Sequence, residues 1–162
     1  MDGDHTLKRS REMTAECLRI VFDQLHVQRV LLAGMILKPK LVFPGLSCSH
    51  QESAKVVALA TVNCLLEVVP AAFPGIALLS GGQSGELAPA RLNAMRAISE
   101  SMPSPLPWTL TFFFRRAIQQ PALGIWSGEE THRWAAQEAL LHRAQRNRAA
   151  RQGEYGVAME LL

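Results

Sequence analysis

Lys38 stands where an apolar run stops: Val30, Leu31, Leu32, Ala33, Gly34, Met35, Ile36 and Leu37 precede it almost without interruption, and Pro39 follows at once. A run of that length between polar segments reads as a strand buried on both faces, the pattern of a parallel sheet. Pro39 has no N–H to give a ladder and so fixes where the strand must end. Lys38 is thereby expected at the carboxyl end of a buried strand, where loops converge and ligands bind in parallel α/β architectures. A free amine with a pKa of about 10.4 is neutral only about once in 2,500 molecules at pH 7, so a nucleophilic lysine needs desolvation or a cationic neighbour. A dry strand end with Lys40 close behind offers both. The chemistry then open is Schiff-base formation with a carbonyl, the protonated imine serving as an electron sink. On these residues alone, a lysine that merely snorkels out of a strand end is the commoner outcome.

Two other groups suit an anion. Ser80, Gly81, Gly82, Gln83 and Ser84 lie between a short apolar run and an amphipathic one, where backbone N–H groups converge and a helix dipole adds to the attraction. A plain tight turn is the alternative. Further on, Arg115 and Arg116 offer guanidinium forks suited to a phosphate.

The elements that must position these groups alternate. Met13, Cys17, Leu18, Val21 and Leu25 predict a helix from Arg11 to about His26, ahead of a strand over Val30 to Leu37. Pro39 to Ser49, bent at Pro44-Gly45, reads as a loop, and a second helix is expected from Gln51 to Val68 with Val56, Val57, Ala60, Cys64, Leu65 and Val68 inward. Gly75 to Leu79 reads as a second buried strand, Glu86 to Ser99 as a helix, and Trp108 to Phe114 as a third strand after Pro103, Pro105 and Pro107. A short helical turn over Arg116 to Ala122 precedes a final helix from Glu130 to Arg151, with Trp134, Leu140, Leu141 and Ala144 inward. The alternation is that of consecutive right-handed βα units in a parallel α/β sheet.

With 162 residues, the chain reads as a single domain over 1–162, and 48% hydrophobic residues give it a real core. A complete eight-fold βα barrel typically needs about 250 residues. Net charge +3 implies acidic metabolites as readily as nucleic acid. Arg143, Arg146, Arg148 and Arg151 are spread around their helix and diluted by Glu138 and Glu154, a solvated outer face and no nucleic-acid surface. Cys17, Cys48 and Cys64 are odd in number and widely spaced, which argues for reduced thiols in a cytoplasmic protein and against zinc or a disulfide framework; His132 and His142 have no metal-ligand spacing. No apolar run reaches the ~18 residues of a membrane helix.

Read in order, Asp2-Gly3-Asp4-His5, Ile36-Leu37-Lys38-Pro39 with Pro44-Gly45, Ala60-Thr61-Val62, Pro70 to Ile76, Leu78-Leu79-Ser80-Gly81-Gly82-Gln83-Ser84, Leu92-Asn93-Ala94-Met95, Pro107 to Phe112, Arg116-Ala117-Ile118-Gln119 and Gln152-Gly153-Glu154-Tyr155 resemble class I fructose-bisphosphate aldolase. The resemblance covers nearly all of this chain and about the carboxyl-terminal half of a family member. It implies a partial (β/α)8 TIM barrel, the last three strands with their helices. It also implies a glycolytic lyase that reversibly cleaves fructose 1,6-bisphosphate to dihydroxyacetone phosphate and glyceraldehyde 3-phosphate, with no cofactor or metal. On the family pattern Lys38 is the Schiff-base lysine, and Ser80, Gly81 and Arg116 hold a substrate phosphate.

The departures are specific. Phe113, Phe114 and Arg115 stand where the family has serine, tyrosine and glycine, so an arginine side chain either blocks the phosphate's approach or supplies a substitute contact. Ala33 replaces a glutamate and Lys40 an asparagine. The family's acid–base residues come from its first five strands, outside the match, and Tyr155 is not the equivalent of its terminal tyrosine. The alternative is therefore an inactive truncated fragment that keeps the phosphate site. Three strands of eight leave open edges, and pairing with a second copy or with a chain supplying the other barrel half is the expected outcome.

Overall fold

In the computed structural model, whose described residues are 2–161, Thr6 caps the first helix, its hydroxyl oxygen accepting from the Arg9 N–H at 3.2 Å. Helix α1 then runs Leu7–Val27, four residues longer at its start than its apolar spacing suggests. Its inner face is Ser10, Ala15 and Phe22, with Leu18 and Leu25 beside them, while Met13, Cys17 and Val21 are exposed. Phe22 sets this rotation by packing on Phe73, ring centroids 5.5 Å apart, which turns Val21 outward.

The run from Val30 is not a long buried strand. Leu32–Gly34 form a 3-10 turn, and strand β1 is only Ile36–Leu37, with Ile36 63% exposed. β1 pairs on one side alone among the described residues, so nothing covers its other edge or the face that carries Ile36. The chain regains the core at Leu41, Val42 and Phe43, which are fully buried. Thr61 holds them there: its Oγ1 accepts from the Val42 N–H at 3.0 Å and donates to the Val57 carbonyl.

Helix α2, Ala54–Val68, is capped by Ser53 and buries Val57, Ala58, Thr61, Val62, Cys64 and Leu65, with Val56 turned outward. Strand β2 is Gly75–Leu78, helix α3 Leu87–Ser101, strand β3 Thr109–Phe112 and helix α4 Arg115–Trp126. α4 runs past Pro121 because Ala117 and Ala122 are buried on either side of it, so packing overrides the missing N–H. A 3-10 turn at Glu130–His132 leads into α5, Arg133–Gln152, and another spans Val157–Leu161.

The strands are all parallel in the order β1-β2-β3, with Ile36 opposite Gly75, Gly75 opposite Thr109, and Leu78 opposite Phe112. Among the described residues the result is a mixed α/β fold, a small three-stranded sheet and five helices. Central β2 is buried on both faces at Ile76, Ala77 and Leu78, the burial that its apolar run suggests. No helix among the described residues is long and apolar enough to cross a membrane.

The inner face of α5 differs from its apolar stripe. Trp134 is 70% exposed, Leu140, Leu141 and Ala144 also face out, and the core side is Ala136, Arg146, Asn147, Ala149 and Ala150. Small side chains let α5 approach its neighbours closely, where the bulky ones would hold it off. The arginines are not all a solvated face either: Arg146 is buried and Arg143 is paired with Glu160.

That pair belongs to a network that ties down the last 3-10 turn. The Tyr155 phenol donates to Glu160 Oε1 at 2.8 Å, and the Tyr155 N–H donates to Asn93 Oδ1 at 3.0 Å. Burial and the Glu160 carboxylate push the phenol up to about 12. Burial alone would raise the Glu160 carboxyl, but hydrogen bonds from Arg143 and Tyr155 outweigh it and hold it below its ordinary value. A raised folded pKa favours the protonated phenol, so its stabilisation is present below about pH 10 and is lost as the pH rises through about 12. Tyr155 is the chain's single tyrosine, so an ultraviolet titration reads it alone, with a midpoint expected at about 12. A midpoint near 10 would contradict the network, and Tyr155→Phe should remove the alkaline loss of stability between those values.

Gly45 also needs its lack of a side chain, because an added Cβ would lie 2.1 Å from the Gly3 carbonyl oxygen. Gly45→Ala is expected to cost about 2 kcal/mol or more in a denaturant titration, and an unchanged midpoint would refute the close approach.

Candidate functional site

Parallel strands joined by helices put all their carboxyl ends on one rim. Lys38 follows β1, Ser80 to Ser84 follow β2, and Phe113 to Arg116 follow β3, so the sheet brings the three groups to the same side. Gln83 N–H donates to the Ser80 carbonyl at 3.3 Å and closes a tight turn whose central residues are Gly81, φ +65°, and Gly82, φ +83°. Two successive left-handed residues make a primed turn that glycine adopts without strain.

Gly82 also brings the turn against an arginine: a Cβ there would sit 3.5 Å from Arg116 Nη2. Arg116 lies in the first turn of α4, whose positive dipole end faces the same space. The open cleft between them, about 510 Å³, is lined by Ser80, Gly81, Gly82, Phe113, Arg116 and Lys40 among others. Arg115 stands on the same wall as an added cation, both arginines are exposed, and Arg116 is the one that reaches Gly82. No carboxylate lines the cavity among the described residues. Three cations, a glycine bend and a helix start suit an anion and would repel a cation.

Lys38 departs from its expected setting. Its side chain is exposed, because the edge strand before it is covered on neither its free side nor its Ile36 face. Its Nζ lies 3.7 Å from the centre of the Phe113 ring. Phe113 also lines the anion cavity, so the amine and the cavity share one aromatic side chain, although Lys38 itself is not part of the lining.

The desolvated lysine is Lys40. It is half-buried, and burial lowers its pKa from the ordinary value. Its Nζ donates to Ser10 Oγ at 3.4 Å and lies 5.4 Å from the centre of the Phe43 ring. The apolar Leu41, Val42 and Phe43 directly after it were the sequence signal that the chain re-enters the core at that point. Phe113 was missed because it stands where the resemblance leads to a serine. Arg91 was missed because an arginine in an amphipathic helix reads as outward-facing, yet it is buried and donates to the Gln83 side chain. No group of three or more metal-ligating side chains occurs among the described residues.

A family model described as fructose-bisphosphate aldolase class-I matches residues 1–161. Fructose-bisphosphate aldolase B of Gallus gallus is 47% identical over 154 residues, covering 95% of this chain and 41% of that protein. A probable fructose-bisphosphate aldolase class 1 of Xylella fastidiosa is 43% identical over 156 residues, covering 96% of this chain and 45% of that protein. Among solved structures, fructose-bisphosphate aldolase from Plasmodium falciparum, in complex with TRAP and an inhibitor, superposes with a TM-score of 0.88 at 39% identity, over 96% of this chain and 43% of that one. The chain thus spans less than half the length of each of these relatives.

Proposed function

Because this chain belongs to the class-I fructose-bisphosphate aldolase family, we propose that it carries the family's Schiff-base half-site, with Lys38 as nucleophile and Ser80, Gly81 and Arg116 as the phosphate cradle. The substrate is a phosphorylated ketose, of which fructose 1,6-bisphosphate is the family's namesake. The observation that carries the reading is Phe113, whose ring lines the anion cavity and carries the Lys38 Nζ at 3.7 Å from its centre.

In this reading the amine lone pair of Lys38 attacks the ketone carbon, and the carbinolamine loses water to give an iminium. The carbon–carbon bond one position away then breaks. Its electron pair is taken up by the iminium as an enamine, and the hydroxyl on the departing carbon gives up its proton to water as the aldehyde leaves. Protonation and hydrolysis of the enamine return the free amine. Arg116, the glycine bend and the start of α4 hold the phosphate, and so set where the ketone stands relative to Lys38.

The three βα units are the matching part of a (β/α)8 barrel and act as one domain in the cytoplasm. Their uncovered β1 edge is where a second copy or the remaining barrel strands would pair. A second reading, a fragment that binds phosphate without turnover, is favoured by the exposure of Lys38 and by the lack of a carboxylate in the cavity among the described residues. Calorimetry with inorganic phosphate, run beside a coupled assay on fructose 1,6-bisphosphate, separates the two. Binding with cleavage supports the lyase, binding alone supports the fragment, and no binding removes both.

A further inference from the structure

Arg91 heads the large side chains shut off from solvent, at 1% exposure. It projects from α3, the helix that follows the glycine bend. Its Nη1 donates to Gln83 Oε1, and its guanidinium carbon lies 5.3 Å from the centre of the Phe43 ring. Its Nε has no hydrogen-bond partner, and no ion pair reaches it, among the described residues. Burial lowers its pKa to about 10, which leaves it charged at neutral pH.

A buried guanidinium held by one neutral amide and an aromatic face is a poor stabiliser, because its desolvation is not repaid by a counter-charge. Its position suggests what repays it. Gln83, its acceptor, is itself buried and closes the Ser80–Gln83 turn, and Gly82 beside it lines the anion cavity against Arg116. Ser80, the other end of the turn, is buried too. The guanidinium therefore braces the turn from its dry side, while Arg116 lies on its open side.

We infer that Arg91 is a positioning residue of the anion site: it fixes Gln83, and through it the Gly81-Gly82 bend, with a buried charge that an anion in the cavity compensates. This rests on the reading of the cavity as a phosphate site. A merely architectural arginine would stabilise the chain to the same degree with or without an anion. Arg91 instead couples to the anion, and because that coupling runs through protein interior it is weakly screened by salt.

Inorganic phosphate is titrated by calorimetry into the full-length chain as wild type, Arg91→Met, Arg91→Lys and Gln83→Met, with thermal midpoints recorded with and without phosphate. Arg91→Met should keep or raise the phosphate-free midpoint, since an apolar side chain of similar length leaves no unpaired charge. It should bind phosphate about tenfold more weakly, the net worth of one hydrogen bond to a charged group. Arg91→Lys, which keeps the charge without the fork, should fall between the two, and the wild-type-to-methionine ratio should persist at high salt. Wild-type affinity in Arg91→Met overturns the inference, as does a loss of affinity matched by an equal loss of phosphate-free stability. Should Arg91→Met not fold, wild-type affinity in both Arg91→Lys and Gln83→Met overturns it as well. A wild-type chain that binds no phosphate overturns the cavity reading first, which sets that failure apart from failure at Arg91 alone.

Discussion

Lys38→Met is expected to abolish the borohydride-stable adduct that dihydroxyacetone phosphate forms with the wild-type chain, while affinity for inorganic phosphate stays within about twofold. Methionine keeps an apolar stem against Phe113 but carries no lone pair that can add to a ketone, so no imine forms for hydride to reduce. Arginine fails for a different reason: it keeps the cation over the ring, yet its delocalised guanidinium stays protonated and does not attack carbonyls. Where cleavage of fructose 1,6-bisphosphate is measurable, either variant should lower it by about four orders of magnitude or more, the scale of removing a covalent nucleophile. Lys40→Met separates chemistry from electrostatics. The burial of Lys40 lowers its pKa, but its Nζ is drawn toward Ser10 and Phe43, so its loss should leave the adduct in place. An adduct of wild-type yield in Lys38→Met would end the assignment.

Arg116→Ala should weaken phosphate binding by about 30-fold to 150-fold, the worth of about 2 to 3 kcal/mol for a charge-assisted guanidinium contact. Arg116 is exposed, but its guanidinium lies against Gly82, where a Cβ would come within 3.5 Å of Nη2, so the bend fixes where it reaches. Arg115→Ala is the matched control. That side chain lines the same wall and is equally exposed, but it is Arg116 and not Arg115 that lies within 4 Å of a Cβ at Gly82, so the loss of Arg115 should change affinity by about threefold or less at physiological salt. Equal losses at the two positions would mean that the cavity attracts anions by net charge alone, with no built contact.

How much of this was legible in the sequence follows from which forces act locally. Strand β2 and the glycine bend were readable because a fully covered strand is apolar at every position and Gly81 and Gly82 take left-handed angles that other residues resist. The colinear motifs likewise carried Lys38, Ser80 and Arg116 to one rim of a parallel sheet, through the family likeness and not through periodicity. β1 misled because apolar character records what a residue is suited to touch, and among the described residues Ile36 pairs with Gly75 alone and stays 63% exposed. On α1 and α5 the rotation was decided by tertiary packing: Phe22 found Phe73, and the alanines of α5 outcompeted Trp134 and Leu141 for the close approach. Arg91 and Lys40 could not be placed from composition, since charged residues are seldom buried and nothing in their flanks names the partner that would bury them.

The central claim is that one ligand spans the amine and the cradle, and a peptide map tests it most directly. The wild-type chain is reduced with borohydride in the presence of dihydroxyacetone phosphate, with excess inorganic phosphate as competitor in a parallel sample, and each lysine peptide is weighed. The account predicts stable added mass on the peptide bearing Lys38, none on Lys40, and suppression by phosphate. Mass on Lys40 instead, mass on Lys38 that phosphate does not suppress, or no added mass at all would contradict it.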